Sequence, residues 1–153
     1  MTNPILFATS WLMFVSHTVT FILLFSKNVP ILLVFLYTGG SLTSIINHGT
    51  SHFVSEWIDR TVMTVGLCID IGYIISLSKK HNDIDNKNNN ATDDVIIAVS
   101  LPLAIAILAY FLDKCQTHVI VNNNNYKKTL PHVIAHFCIT ISHINLLFYL
   151  AAN

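Results

Sequence analysis

The sequence predicts an all-α, polytopic transmembrane bundle of about five helices, forming one domain over residues 1–153. Two observations carry this. Of the residues, 53% are hydrophobic and only 10% charged, a balance far from that of a soluble domain of this length. The apolar residues also gather into runs of about twenty, long enough at ~1.5 Å per residue to cross a ~30 Å hydrocarbon core.

The first run, residues 4–25, is broken only by Ser10, Ser16, His17, Thr18 and Thr20. It has no preceding Lys or Arg and no small-residue cleavage site, so it reads as a membrane helix rather than a signal peptide. Ser26-Lys27-Asn28 is a polar turn, and Pro30 suits the first turn of a second helix over 29–48. Gly39-Gly40 sits inside that helix, where small residues permit close packing or a bend. Residues 49–58 interrupt the apolar pattern, with Trp57 placed to anchor at the interface. A third helix is expected over 59–78, with Asp59 as its N-cap and Asp70 in its interior. Lys79 to Asp94 reads as a polar linker whose Asn90-Ala91-Thr92 matches a glycosylation acceptor.

The fourth helix is expected over 95–112. Pro102 lies inside it and is tolerated where a neighbouring helix satisfies the freed carbonyl. Asp113 to Thr129 is again polar, and Pro131 opens a fifth helix over 131–152. Five crossings put the chain ends on opposite sides. Lys and Arg then divide evenly, with Arg60, Lys114, Lys127 and Lys128 against Lys27, Lys79, Lys80 and Lys87, so charge gives no orientation. Eight basic and eight acidic residues balance, and without a basic patch nucleic acid is excluded as a partner. Cys68, Cys115 and Cys138 form no metal-like pair.

Ionisable groups are costly in such segments unless they pair, bind a metal or line a cavity. Ser44 and His48 are one helical turn apart, as are His132 and His136, and the crossing count brings His48, Asp59, His132 and His136 to one membrane face. A histidine pair at i, i+4 is a natural zinc chelate, and a third imidazole completes a site with one open position. We therefore expect Zn2+ on His48, His132 and His136. Asp59 is expected as the proton acceptor and Ser44 as a hydrogen-bond donor to a developing oxyanion. Zinc lowers the pKa of its water and polarises a carbonyl, which suits hydrolysis of a lipid acyl bond at the membrane face.

The order Ser44-x3-His48, Asp59 eleven residues later, and His132-x3-His136 at the start of the last helix resembles the CREST superfamily of membrane hydrolases. That group includes alkaline ceramidases, the Per-type proteins of GPI-anchor remodelling, and the progestin and adipoQ receptors. Glu56-Trp57-Ile58-Asp59 is similar to the Glu-x-x-Asp of the Per-type branch. The resemblance implies zinc on the three histidines, a catalytic role for Asp59 and Ser44, a membrane lipid substrate with an amide or ester bond, and an endomembrane location in the ER or Golgi. The family usually has seven helices, against five here, and the acidic calcium-binding cluster of ceramidases has no counterpart in Met1 to Pro4.

Other readings stand beside this one. Histidines in a membrane helix also pack or hydrogen-bond, so a non-enzymatic receptor-like or structural protein is the alternative. Ser44 has a backbone carbonyl one turn earlier to bond, and His52 is a rival ligand, four residues after His48. Asp70 and His143 lie eleven residues beyond Asp59 and His132, close to three turns, and are expected to meet in a second polar layer with His17. That layer would fix helix register or, in a small transporter, relay protons.

Overall fold

In the computed structural model, residues 3–27, 29–50, 52–83, 90–119 and 125–152 are described. Among them are five helices, α1 (Pro4–Leu23), α2 (Ile31–Thr50), α3 (Phe53–Asp83), α4 (Asn90–Val119) and α5 (Asn125–Ala152). All five are long and apolar enough to cross a membrane. The chain is a transmembrane helix bundle.

Several boundaries differ from the expectation. Helix α3 starts six residues before Asp59, so Asp59 sits in the second turn and is not its N-cap. The backbone carbonyl of His52 takes that place, accepting from Glu56 N at 3.2 Å and Ser55 Oγ at 2.7 Å. The expected polar linkers are largely helical extensions: α3 runs to Asp83, α4 runs from Asn90 to Val119, and α5 opens at Asn125 with Pro131 inside it. Hydropathy marks the part of a helix that meets lipid, whereas backbone hydrogen bonding continues into polar turns. The Asn122–Asn124 part of the second Asn run, and Asn88 and Asn89, lie outside the described residues.

The bundle buries polar side chains among apolar ones and turns large apolar side chains outward, where lipid can cover them. Ser10, His17, Ser41, Ser44 and Asp70 are fully buried, while Ile22, Leu23, Phe25, Ile31 and Phe35 are exposed. Met13, Leu103, Ala106 and Ile139 form one apolar cluster, and Leu24, Leu33, Tyr37 and Leu147 another. The expected glycine contact is made by Gly40 alone. An added Cβ there would stand 3.5 Å from Val62 Cγ1, whereas one on Gly39 would meet nothing within 4 Å.

Helices α4 and α5 pair most extensively, and α3 packs on α4 far less. Pro102 explains part of the α4–α5 joint. Lacking an N–H, it leaves the Ala98 carbonyl without its helical donor, and Asn145 Nδ2 of α5 donates to that oxygen at 2.7 Å. Ser142 Oγ adds a bond to Val99 O at 2.8 Å. At the other end of the bundle Asn3 caps α1, its Oδ1 accepting from Ile5 N and Leu6 N, and its Nδ2 donates to Thr129 Oγ1 of α5 at 3.0 Å.

Candidate metal centre

His48 ends the buried face of α2, and His132 and His136 share one face of α5 a turn apart. The three rings meet. Their centroids are 5.1 Å apart for His48–His132, 5.5 Å for His48–His136 and 4.9 Å for His132–His136. One ring nitrogen from each lies within 4.8 Å of the others, which is a separation from which three ligands can converge on one ion.

The second nitrogens decide how these rings are oriented. His132 Nδ1 is 3.2 Å from Asp113 Oδ2, where the carboxylate accepts the ring N–H. His136 Nδ1 is 3.0 Å from Thr9 Oγ1, and Thr9 donates its only hydroxyl proton to Leu6 O at 3.0 Å. Thr9 is thus the acceptor and His136 Nδ1 carries the proton. When both α5 rings are neutral, Nε2 is left with its lone pair on each. The third ring completes the case, because His48 Nε2 is buried without a hydrogen-bond partner, the one such side-chain atom among the described residues. A buried, unsatisfied imidazole nitrogen costs free energy unless something binds it. Three imidazoles, two of them backed by a hydroxyl or a carboxylate, are the donor set and support that Zn2+ uses. The residues fit the ion.

Asp59 is not one of the gathered donors but is held beside them. Its Oδ2 accepts from Asn47 Nδ2 at 2.8 Å and its Oδ1 from Thr43 Oγ1 at 3.3 Å, both on α2 next to the turn of His48. Thr43 also donates to Gly40 O at 2.8 Å, so its single proton is shared and Oδ1 is the less satisfied oxygen. Ser44 is buried one turn from His48, and its Oγ meets Ser10 Oγ at 3.0 Å. Ser10 donates to Leu6 O at 2.8 Å, so Ser44 donates to Ser10 rather than back along its own helix. His52 is exposed and outside the cluster, and Glu56 is engaged with Arg60 on the surface.

Asp113 and Thr9 were not expected as part of the site. The crossing count holds the signal for both, because the start of α1 and the end of α4 share the membrane face of His48 and His132.

The deeper layer forms as expected and is larger. His143 Nε2 is 2.9 Å from Asp70 Oδ2, and His143 Nδ1 is 3.2 Å from His17 Nε2. Tyr37 and Ser41 join it: Tyr37 donates to Asp70 Oδ1 at 2.5 Å, and His17 Nδ1 is 2.8 Å from Ser41 Oγ. Tyr37 lies eleven residues before His48, the same three-turn step that links Asp59 to Asp70 and His132 to His143. That arithmetic, applied to α2, would have found it.

In searches of family models, curated proteins and solved structures, no family model, curated protein or solved structure matches this chain.

Proposed function

We propose that the protein is a zinc-dependent membrane hydrolase of the CREST type, acting on the amide or ester acyl bond of a lipid, with His48, His132 and His136 as the metal ligands. The observation that carries this reading is the buried, unpartnered Nε2 of His48, on a ring clustered with two imidazoles whose Nδ1 atoms are committed elsewhere. Bound zinc would supply Lewis-acid activation of water and of the acyl carbonyl. Asp113 and Thr9 hold the α5 rings in the tautomer that a cation needs.

Asp59 is the proton carrier in this reading. Its Oδ1, the less satisfied oxygen, takes a proton from the attacking water and passes it to the leaving nitrogen or oxygen. The water oxygen bonds to the acyl carbon as the bond to that leaving atom breaks. Asn47 keeps the carboxylate in place through Oδ2. Ser44 serves as the oxyanion donor once its hydroxyl turns from Ser10 to the substrate. A site at the end of the bundle lets acyl chains remain in hydrocarbon while water reaches it. The lipid substrate and the endomembrane location belong to the same reading.

Elemental analysis of the purified protein tests the metal first: one zinc per chain is expected, lost in His48→Ala and in His132→Ala. Hydrolysis of ceramide, phospholipid and GPI-like substrates follows, with Asp59→Asn expected to keep zinc while turnover falls about 10²–10⁴-fold. Zinc without hydrolysis favours the receptor-like alternative. A chain without stoichiometric zinc removes the metal reading.

A further inference from the structure

The deeper polar layer can be read by counting protons. Four close contacts run through it in series: Ser41 Oγ to Tyr37 O at 2.7 Å, His17 Nδ1 to Ser41 Oγ at 2.8 Å, His17 Nε2 to His143 Nδ1 at 3.2 Å, and His143 Nε2 to Asp70 Oδ2 at 2.9 Å. Each needs one hydrogen between its two heavy atoms, or two lone pairs face each other. The side chains supply three when both rings are neutral and Asp70 is ionised: the serine hydroxyl and one N–H from each ring. Tyr37's own proton is already used on the other carboxylate oxygen, Oδ1. One contact is left short.

We propose that this layer is a proton-binding site, holding one proton beyond those of two neutral imidazoles and a carboxylate, shared among His17, His143 and Asp70. With it the three groups sum to zero charge, as an acid beside two neutral rings or as an imidazolium beside a carboxylate. Without it the layer is a net anion at its place inside the bundle, and a buried charge there is costly. The groups that face the site are His17 from α1, Tyr37 from α2, Asp70 and Tyr73 from α3, and His143 from α5. Helix α4 carries no charged residue between Asp94 and Asp113. A cavity of about 20 Å³ borders His17, Tyr37, Ser41 and His143, large enough for one water as an exchange partner.

The series also has a direction. At one end it stops on a backbone carbonyl, which accepts a hydrogen bond but passes no proton on. The layer therefore stores a proton rather than conducting one through the bundle, which separates it from a transporter's relay. It stands independently of the zinc reading, since none of its groups touches the three metal-site histidines.

The consequence is a proton taken up on folding. At neutral pH the unfolded Asp70 is ionised and the unfolded His143 mostly neutral, with reference values of about 3.9 and 6.5. Asp70→Asn isolates the effect, because an amide accepts from Tyr37 with its oxygen and donates to His143 with its nitrogen, closing all four contacts with no added proton. Folding equilibria of the full chain, wild type and Asp70→Asn, would be measured in mixed detergent micelles from about pH 6 to about pH 8. The folded wild type holds one more proton than the variant while the unfolded chains do not differ, so the ratio of wild-type to variant folding constants should fall about tenfold per pH unit. A ratio independent of pH overturns the proposal, and means that the Ser41 hydroxyl has turned to His17 and closed the series with three protons.

Should Asp70→Asn not fold, spectra of the wild type decide. Either a protonated-carboxyl infrared band that vanishes in no other aspartate variant, or imidazolium ¹⁵N signals from His17 or His143 at neutral pH, is the expected result. Absence of both overturns the site.

Discussion

Tyr37 lies flat against His143, with ring centroids 3.6 Å apart and planes within 6°, while its hydroxyl donates to the carboxylate that His143 also contacts. One side chain thus both stacks on the imidazole and completes its partner. The two roles separate by substitution. Tyr37→Phe keeps the ring and removes the donor to a buried carboxylate oxygen, which should cost about 1–3 kcal/mol in micelle unfolding. Tyr37→Leu should cost more, through the lost stacking. Equal stabilities for wild type and Tyr37→Phe would mean that Asp70 Oδ1 finds another donor.

Metal affinity should depend on residues that never touch the ion. Asp113→Leu and Thr9→Val both leave the three imidazoles intact but remove the acceptors of the His132 and His136 Nδ1 protons. Each should weaken zinc binding about 10–100-fold in competition with a chelating dye. Thr9→Ser, which restores the hydroxyl, should recover most of the loss. Unchanged affinity in both variants would show that the rings hold their orientation by packing alone.

The α4–α5 joint offers a double-mutant cycle. Asn145→Leu should cost roughly 1 kcal/mol, because the Ala98 carbonyl loses the donor that stands in for the N–H absent at Pro102. Pro102→Ala returns a backbone N–H to that carbonyl, so Asn145→Leu made in that background should cost clearly less. Additive effects would place the origin of the Asn145 contribution elsewhere.

The glycine pair should respond unevenly. Gly39→Ala, where the new methyl meets nothing within 4 Å, should stabilise α2 by about 0.5–1 kcal/mol. Gly40→Ala puts a methyl at ordinary contact distance from Val62, whereas Gly40→Leu should loosen the α2–α3 contact. Unfolding midpoints of the three variants check the order.

Helix number and the sidedness of the histidines were legible because membrane crossing imposes two simple rules, a minimum apolar length and an alternation of direction. Those rules brought His48, His132 and His136 to one face, and the three-turn step brought Asp70 to His143. The start of α3 was hidden because Phe53 to Ile58 mixes polar and apolar residues, and the exposed Glu56–Arg60 pair supports a helical turn that hydropathy does not register. Asp113 was hidden for the same reason, read as the first residue of a linker when α4 continues past it. Ser44 shows a different limit. Its spacing from His48 was plain, but its partner Ser10 comes from another helix, and no local pattern reveals which neighbour a buried hydroxyl will meet.

The histidines of α5 receive a side-chain contact from every other helix: Thr9 and His17 from α1, Tyr37 by stacking from α2, Asp70 from α3 and Asp113 from α4. Translation runs from α1 towards α5. During insertion, then, the earlier helices enter the bilayer carrying Asp70, Asp113 and His17 before their α5 partners, His143 and His132, have been made. The arrival of α5 is therefore the event that completes these contacts, Asp70 having until then only the hydroxyl of Tyr37 from α2.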